Sequence, residues 1–399
     1  MKPEITITVI NQHTLNYGDD AAGVALVLQV RHWFPNACIN ITYNRRHTDL
    51  EVIPYNDKNI HHFPSLIISE WNFFQAIFYL GSKLLPIKRK CKDTNIGRFR
   101  KQIIESDIVI VSPCGANIGI YTSWLFLFRV LMAVLENKPV YFHLNTLGKS
   151  GNLIFDMFAR FALKRSHLFV REYRSHRELS SWGIHSSIGV DTAFSLPDLE
   201  QSESDCDGKK IVFIPTQLGN WHPHFSNKFD DITFDKIIAE TAFFCKEIDA
   251  KIYILPHLYG RLDEKEFLDR VLAAFLQHDA SAQMHGGIRD FWDYEKAIAQ
   301  SYLVISMRYH GLVLAAKNSI PFLSLSYENK MDEVCKYTDM DSFNILLRSV
   351  EKVSIAEKLE ELTLEHSSIV YSLSEKKYFL RQLSSSVVPE IYLRSLYLD

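Results

Sequence analysis

The sequence lacks any closely spaced pair of cysteines. Its six cysteines are scattered along the chain, and no two of them form a CxxC motif: Cys38, Cys91, Cys114, Cys206, Cys245 and Cys335. Disulfide scaffolds and structural zinc sites are built from closer and more regular cysteine spacings. The pattern therefore favours reduced thiols in a cytoplasmic protein.

The sequence also has little net charge. Its 44 Lys and Arg residues nearly balance its 47 Asp and Glu residues, which leaves a formal net charge of -3. No global field would attract nucleic acid or bulk anionic lipid, so we expect no nucleic-acid partner and look for a local anion site. Met1–Ile7 contains no charged segment leading into an apolar stretch, and we expect no export signal.

Long apolar runs are absent too. The two longest candidates, residues 71–85 and 123–135, are shorter than the roughly 20 apolar residues that a membrane-spanning helix needs. Core helices are the expected outcome for both. The first, however, runs into a stretch rich in Lys and Arg that extends to residue 101. Residues 71–101 are therefore predicted either to lie on the inner face of an anionic membrane or to end in a solvated basic loop.

The length of 399 residues exceeds what one hydrophobic core normally supports, about 250–300 residues, so two domains are expected. Strand-like and helix-like patterns alternate, stop at an acidic segment, and then restart. Such alternation predicts the α/β class, with two Rossmann-like domains whose parallel sheets are flanked by helices. The predicted bounds are residues 1–200, residues 201–353 and a helical tail of residues 354–399.

The predicted strands are residues 5–10, 39–43, 107–111, 138–143, 168–171, 188–190, 210–215, 251–255, 303–306 and 322–325. The predicted helices are residues 21–30, 71–85, 123–135, 235–246, 264–277 and 312–317. The polar, acidic segment 197–210 is the predicted linker between the domains.

The most informative segment is residues 303–330, where the sequence RYHG at 308–311 follows a buried strand. Side chains at the carboxyl ends of parallel strands face the ligand crevice, and the next helix brings N–H groups and about half a positive charge. Gly311 would let the backbone approach a ligand closely. With Lys330, these residues predict a site for a small anion carrying carboxylate or phosphate. The alternative is a core histidine beside an ordinary Arg–carboxylate pair.

Three further segments attract attention in the first half. Asn16, Gly18 and Asp19 lie between the first strand and its helix, where glycine permits a tight turn and a carboxylate can accept a proton. A helix cap without chemistry is the equal alternative. Gly115 follows the third predicted strand, where a plain strand-to-helix turn is the alternative.

Arg171 falls at another predicted strand end and Asp191 follows it. The guanidinium could point into a cleft, or it could form a surface salt bridge. Other polar residues are discounted. His257 follows a strand and is interpreted as a capping or solvated histidine, while the loop with Trp221, His222 and His224 lacks further ligands at metal spacing. We therefore predict no metal.

Taken in order, these segments resemble the polysaccharide pyruvyl transferase family. The family carries N-x-GD-x-A, a glycine-rich loop, RE-x-x-S followed by D-x-A-F, and RLHG followed by Tyr-x-x-Lys. Here Tyr309 replaces the leucine, and the triple-glycine loop keeps only Gly115 and Gly119. The resemblance implies a GT-B-like arrangement of the two domains and an enzyme of cell-surface polysaccharide synthesis that uses phosphoenolpyruvate as donor, without a cofactor.

The resemblance also implies roles for particular residues. Donor binding falls to four residues: Arg171, Arg308, Tyr309 and Lys330. Catalysis falls to His310 and Asp19, and the acceptor side to Asn16, Gly18, Gly115 and Asp191. The acceptor would be a saccharide, for which a lipid-linked form is one alternative. Two rival functions are a glycosyltransferase that holds a nucleotide sugar through Glu328 or Glu333, and a non-catalytic binding protein.

Overall fold

The computed structural model describes residues 5–44, 57–65, 79, 81, 95–199, 208–218 and 231–396. Two predicted features, the helix over residues 71–85 and the loop with Trp221, lie almost wholly outside these residues, as does most of the acidic segment 197–210. The chain forms two compact units. The first unit consists of Met1–Thr14, Ala22–Thr192 and Leu383–Asp399, and the second of Leu15–Ala21 and Ala193–Gln382.

Among the described residues there are thirteen strands. They are β1 (Thr6–Gln12), β2 (Cys38–Tyr43), β3 (Ile60–Phe63), β4 (Ile108–Val111), β5 (Val140–Asn145), β6 (His167–Val170), β7 (Ser187–Ile188), β8 (Lys209–Ile214), β9 (Ala250–Ile254), β10 (Ala282–Met284), β11 (Leu303–Ser306), β12 (Phe322–Ser326) and β13 (Asn344–Leu346).

The α-helices that the described residues define in full are α1 (Tyr17–Trp33), α2 (Asn95–Glu105), α3 (Trp124–Leu135), α4 (Leu153–Leu163), α5 (Tyr173–Ser181), α6 (Asp231–Glu247), α7 (Lys265–Gln277), α8 (Phe291–Ala299), α9 (Tyr309–Lys317), α10 (Asn329–Tyr337), α11 (Ile355–Leu364), α12 (His366–Ser384) and α13 (Val387–Ser395). Within the same residues, no helix combines the length and the apolar composition needed to cross a membrane.

The first unit is built on a parallel sheet with the strand order β3-β2-β1-β4-β5-β6-β7. Its central strand β4 is apolar along its whole length and every residue of it is buried, as expected where helices cover both faces of a parallel sheet. The order reverses direction between β1 and β4. Loops after these two strands therefore diverge to opposite faces and leave a crevice at the carboxyl edge of the sheet.

The second unit repeats this design with the order β10-β9-β8-β11-β12-β13, again with parallel pairing throughout. Here the reversal lies between β8 and β11. Residues 303–306 were predicted as a strand and form β11, whose four residues are all buried. The corresponding crevice is thus at the loops that follow Ile214 and Ser306.

The α/β class with two parallel sheets flanked by helices is confirmed. The short strands β3, β10 and β13 were not predicted, because they have only three or four residues and are partly exposed, so they show no clear apolar run. Helix α9 starts at Tyr309, three residues before the predicted start. The turn after β11 ends at Arg308, which is the N-cap residue, so the helix begins at the next residue.

A buried ion pair anchors α9 to its neighbours in the second unit. Lys317 donates from Nζ to Glu295 Oε1 at 2.5 Å and to the carbonyl of Pro197 at 2.7 Å, and both charged side chains are wholly buried. Burial lowers the pKa of Lys317, and the charge of Glu295 opposes that shift. Each charge is therefore tolerated inside the unit only while its partner is present.

We expect Lys317→Met to destabilise the protein, because it leaves the carboxylate of Glu295 buried without its ammonium partner. Breaking such a pair costs about 3–5 kcal/mol, which corresponds to a fall of roughly 6–20 °C in the thermal midpoint. Differential scanning calorimetry measures it. Lys358→Met, which removes a solvated partner of Glu361, is the control and should cost less than about 1 kcal/mol. A wild-type midpoint for Lys317→Met would contradict this reading of the pair.

Candidate active site

The turn after β11 fixes the first of the predicted site residues. Ser306 Oγ accepts a hydrogen bond from the Arg308 N–H at 3.0 Å and donates one to the Arg308 carbonyl at 2.9 Å. Arg308 has an extended backbone and is the N-cap residue of α9. Its side chain therefore leaves the chain at the carboxyl edge of the sheet, where the strand order reverses.

Gly311 has a packing role in addition to the one predicted. A Cβ at this position would overlap Ser306 Oγ and lie 2.8 Å from Ile214 Cδ1. The glycine thus allows α9 to pack tightly against β8 and β11. This packing in turn holds Arg308 and His310 at the sheet edge, and close approach of the backbone to a ligand stays a prediction.

Four basic side chains of the second unit lie near one another and are called the cationic cluster: His257, Arg308, His310 and Lys330. The pKa of His257 lies well below its usual value, because burial disfavours the imidazolium and because Arg308, His310 and Lys330 add positive charge. Arg308 and His310 are nearly buried, at 7% and 6% exposure, and His257 is at 4%. A concentration of positive charge with little water around it favours an anionic ligand.

Carboxylates hold two members of the cationic cluster in place. The guanidinium of Arg308 pairs with Glu264 and also donates from Nε to the Pro215 carbonyl at 3.3 Å. Lys330 pairs with Glu328 at 2.7 Å, and its Nζ lies 5.6 Å from the ring centroid of Tyr309. These contacts fix the cations and reduce their mutual repulsion.

The segment Leu15–Ala21 belongs to the second unit and packs beside the cationic cluster. Asn16 forms an antiparallel bridge with Leu258, and the Tyr17 N–H donates to the His257 carbonyl at 3.2 Å. Leu15 itself adopts a φ of 68°, a conformation that non-glycine residues rarely take. The chain that leads into α1 is therefore held against the residues following β9.

A stack of three tyrosines strengthens this attachment. The ring of Tyr17 lies between those of Tyr259 and Tyr294, with centroid distances of 4.7 Å and 5.3 Å. The hydroxyl of Tyr259 donates to Asp20 at 2.7 Å, and that of Tyr294 shares a hydrogen bond with His257 Nδ1 at 2.8 Å. Burial and the charge of Asp20 raise the pKa of Tyr17 to about 12, so its phenol stays protonated.

Gly18 is in close contact with His310. A Cβ built on Gly18 would overlap the imidazole ring. Gly18 does not have a positive φ, so the glycine is required for this approach and not for the tight turn that was predicted. Asn16 Oδ1 accepts hydrogen bonds from the N–H groups of Gly18 and Asp19, at 2.9 Å and 3.3 Å, and so caps α1. The contact brings the segment that carries Asp19 to His310.

The first unit contains the remaining predicted residues. Arg171 donates from Nη1 to Asp191 at 2.7 Å and from Nε to Thr146 at 3.1 Å. The side chains of the ion pair are 2% and 0% exposed, so it is neither the surface salt bridge nor an open cation. Gly115 follows β4 and accepts from the Asn117 N–H at 2.7 Å; a Cβ there would make only ordinary contact with Tyr121.

Ten predicted site residues are thus divided between the units. Seven lie in the second unit: Asn16, Gly18, Asp19, Arg308, Tyr309, His310 and Lys330. Three lie in the first: Gly115, Arg171 and Asp191.

His257 was interpreted as capping or solvated, which is wrong, since it is buried within the cationic cluster. The rule that selected His310, a polar residue directly after a buried strand, also applied to His257 and could have identified it.

Known proteins resemble this chain in sequence and in fold. A sequence model of the polysaccharide pyruvyl transferase family matches residues 16–329, a range that includes every predicted site residue except Lys330. No curated protein matches the chain. Among the described residues, no group of three or more His, Cys, Asp or Glu side chains is placed to hold a metal ion.

Several solved structures are similar in fold. A putative UDP-N-acetylglucosamine 2-epimerase from Listeria monocytogenes is 12% identical, with a TM-score of 0.61 and coverage of 98% of this chain and 96% of its own. The Anabaena protein Alr3699/HepE, solved with UDP and glucose, is 10% identical, with a TM-score of 0.60 and coverage of 98% and 99%. The lipopolysaccharide outer core galactosyltransferase WaaB is 11% identical, with a TM-score of 0.55 and coverage of 98% and 99%. The fold is that of GT-B proteins.

We expect Gly18→Ala to weaken anion binding at the cationic cluster, because the added methyl group must displace the His310 ring or the segment around Asn16. Such overpacking costs about 1–3 kcal/mol. The measurement is the rise in thermal midpoint caused by inorganic phosphate, which should shrink in the variant. Gly286→Ala is the control, since nothing lies within 4 Å of a Cβ there. An unchanged response to phosphate in Gly18→Ala would contradict the contact's importance.

A second prediction concerns pH. His257 stays neutral in the folded protein, whereas an unfolded histidine takes up a proton below about pH 6.5. The unfolded state then binds more protons, so the stability provided by a neutral His257 is present at higher pH and lost as the pH falls.

Between about pH 7.5 and 5.5, wild type should therefore lose about 1.4 kcal/mol more stability than His257→Gln. Thermal midpoints of both proteins across that range provide the measurement. His278→Gln, an exposed substitution in the same unit, controls for the loss of an imidazole. Parallel pH profiles for wild type and His257→Gln would refute the neutral, buried state.

Proposed function

Because the chain belongs to the polysaccharide pyruvyl transferase family, we propose that it transfers the enolpyruvyl unit of phosphoenolpyruvate to a saccharide. Two hydroxyls of the saccharide form bonds to carbon 2 of the donor, and its bond to the phosphate oxygen breaks. One hydroxyl proton ends on the methylene carbon, which becomes a methyl group, and the other leaves with inorganic phosphate. The product is a cyclic pyruvate ketal.

The cationic cluster is the observation that carries this proposal. Phosphoenolpyruvate bears a carboxylate and a phosphate, and both need cations or N–H donors to replace water on binding. The cluster offers a guanidinium, an ammonium and two imidazoles at the edge of a parallel sheet, beside the start of α9. The helix start adds partial positive charge that favours a phosphate.

Arg308 and Lys330 are the proposed donor ligands, with Tyr309 beside the ammonium of Lys330. The planar guanidinium of Arg308 suits bidentate contact with a carboxylate or phosphate, and Lys330 supplies a point charge. A bound donor would share these cations with Glu264 and Glu328. That competition favours a ligand with more than one negative charge over a monoanion.

His310 and Asp19 are the proposed acid and base. The imidazole can donate a proton to the methylene carbon or to the leaving phosphate. Asp19, the residue directly after Gly18, would accept the proton of the attacking hydroxyl. The close packing of Gly18 on His310 supports a common role for the two segments.

The remaining roles stay predictions. Arg171 was expected to bind the donor, but its guanidinium is already satisfied by Asp191 and Thr146 inside the first unit. Gly115 and Asp191 remain proposed for the acceptor side. We propose phosphoenolpyruvate as the only co-substrate, with no cofactor, and a cytoplasmic location.

The rival donor is a nucleotide sugar, and the Anabaena protein of the same fold was solved with UDP and glucose. A likeness at 10% identity shows only the fold. The two carboxylates predicted to hold a donor ribose have cationic partners: Glu328 pairs with Lys330, and Glu333 pairs with Lys336 on the surface of α10.

We expect phosphoenolpyruvate to raise the thermal midpoint of the protein and to bind far more tightly than UDP-glucose. Lys330→Met should weaken phosphoenolpyruvate binding by roughly 10–100-fold, as expected for the loss of one hydrogen bond to a charged group. Lys336→Met, a substitution on the same helix at an exposed position, should bind the donor like wild type. Calorimetric titration of the three proteins with both ligands provides the measurement.

The reaction itself is tested by mass spectrometry of a panel of saccharides incubated with enzyme and phosphoenolpyruvate. A mass gain equal to a pyruvate ketal, with release of one phosphate per ketal, supports the proposal. Binding of UDP-glucose without binding of phosphoenolpyruvate would overturn it. Tight donor binding without phosphate release across the panel would instead indicate a non-catalytic binding protein.

A further inference from the structure

Helix α4 of the first unit exposes an unusually apolar face. Leu153, Ile154, Met157 and Phe161 are 86%, 64%, 59% and 37% exposed. Leu153, Met157 and Phe161 follow one another at intervals of four residues, so they lie on one side of the helix along its whole length. We call these four residues the α4 face.

The helix is well anchored on its other side. Phe155, Ala159, Ala162 and Leu163 are buried in the core of the first unit. The side chain of Asn152 caps the helix by accepting from the N–H groups of the first turn, at 3.1 Å each. The exposure of the α4 face is therefore a property of a folded, packed helix and does not arise from fraying.

Single exposed apolar residues are normal on a protein surface, but a continuous row on successive turns is characteristic of an interaction site. Polar substitutions at these positions would cost the fold little, since the side chains contact little of the core. The apolar character of the α4 face is thus not explained by the packing of the first unit.

Basic residues surround the α4 face. Lys149, Arg160, Lys164 and Arg165 are all exposed. Arg165 lies over the ring of Phe161, with Cζ 3.9 Å from the ring centroid, which brings the positive charge to the edge of the apolar row.

Acidic charge is scarce on the helix itself. Asp156 supplies the one carboxylate of the helix sequence, and it is engaged by the N–H and the hydroxyl of Ser150, at 3.0 Å and 2.7 Å. An apolar centre with a basic rim is complementary to a surface that is apolar inside and negative outside.

A cavity of about 670 Å³ continues the positive surface past the end of α4. Arg165 and His167 line it together with Lys138 and Arg394. Burial lowers the pKa of His167 and the positive charge of Arg394 lowers it further, while Glu390, which pairs with Arg394 at 2.8 Å, opposes the shift. Phosphate groups next to the apolar row would find these donors within the same unit.

We propose that α4 is a membrane-docking helix that lies on an anionic lipid surface. The α4 face enters the boundary between headgroups and acyl chains, while Arg160, Lys164 and Arg165 reach the lipid phosphates. A second copy of the chain fits less well, because a symmetric contact through this helix would bring the same basic residues together. This surface differs from residues 71–101, which were the sequence-based candidate for membrane contact and lie mostly outside the described residues.

Sedimentation with vesicles tests the proposal. Wild type should bind vesicles of equal parts phosphatidylglycerol and phosphatidylcholine, and should bind pure phosphatidylcholine vesicles weakly. Met157→Glu should abolish binding, because a charge replaces the centre of the apolar row. Lys164→Gln should reduce partitioning about fivefold, as expected for one basic residue at an anionic surface.

Two substitutions in the second unit serve as matched controls. Leu364→Glu places the same charge at a residue that is 88% exposed, and Arg270→Gln removes one exposed positive charge. Both should bind vesicles like wild type, and circular dichroism should show all four variants folded. Wild-type vesicle binding by Met157→Glu would overturn the proposal, as would a wild-type dimer that dissociates in Met157→Glu and never binds vesicles. Neither result bears on donor chemistry, which soluble saccharides report separately.

Discussion

The packing of Gly18 against His310 is the contact on which the candidate site depends. It requires the segment Leu15–Ala21 to belong to the second unit, and three independent features hold it there: the bridge to Leu258, the hydrogen bond to the His257 carbonyl, and the tyrosine stack. Because this segment also starts α1, it joins the acidic residue Asp19 to the cationic cluster. A small substitution at one glycine would therefore disturb several groups at once.

Burial and charge are balanced in the cationic cluster. Three basic side chains lie close to a buried imidazole that stays neutral, and two carboxylates, Glu264 and Glu328, offset the repulsion. Such a site is arranged in advance for a ligand with several negative charges, since the cost of assembling the cations is met by the fold and not by the ligand. The buried pair of Lys317 and Glu295 is not such a site, because each charge there is already neutralised by the other.

Sequence reasoning identified the parts of the fold that local patterns encode. The strand over residues 303–306 was predicted with its observed bounds because a short run of Leu, Val and Ile between polar turns indicates a buried strand in an α/β protein. The strand Ala282–Met284 was missed because it is short and partly exposed. The start of α9 was placed too late, since the apolar pattern begins at Leu312 whereas the helix begins at the turn set by Ser306.

Residues whose role depends on distant contacts were harder to interpret. His257 was interpreted as a capping or solvated histidine, but it is covered by a segment that lies about 240 positions earlier in the chain. The hydrogen bond between the neighbouring Tyr259 and Asp20 joins residues that are 239 positions apart. The glycines were recognised as important, but their partners, His310 for Gly18 and Ser306 for Gly311, become visible only in three dimensions. The exposed face of α4 has the same origin, because an apolar helix sequence does not reveal which of its sides remains uncovered.

The position of α4 has a consequence for the acceptor. Its N-terminus follows β5 and so lies at the carboxyl edge of the first sheet, the edge that also bears Gly115 and Asp191. Docking through Leu153 and Met157 would bring that edge near a lipid surface, which suits a lipid-linked saccharide.

A crystal structure of the protein with phosphoenolpyruvate tests most directly the central claim that the cationic cluster binds the donor. Electron density for the donor in contact with Arg308, His310 and Lys330 is the predicted result, and donor bound away from all three side chains would contradict it.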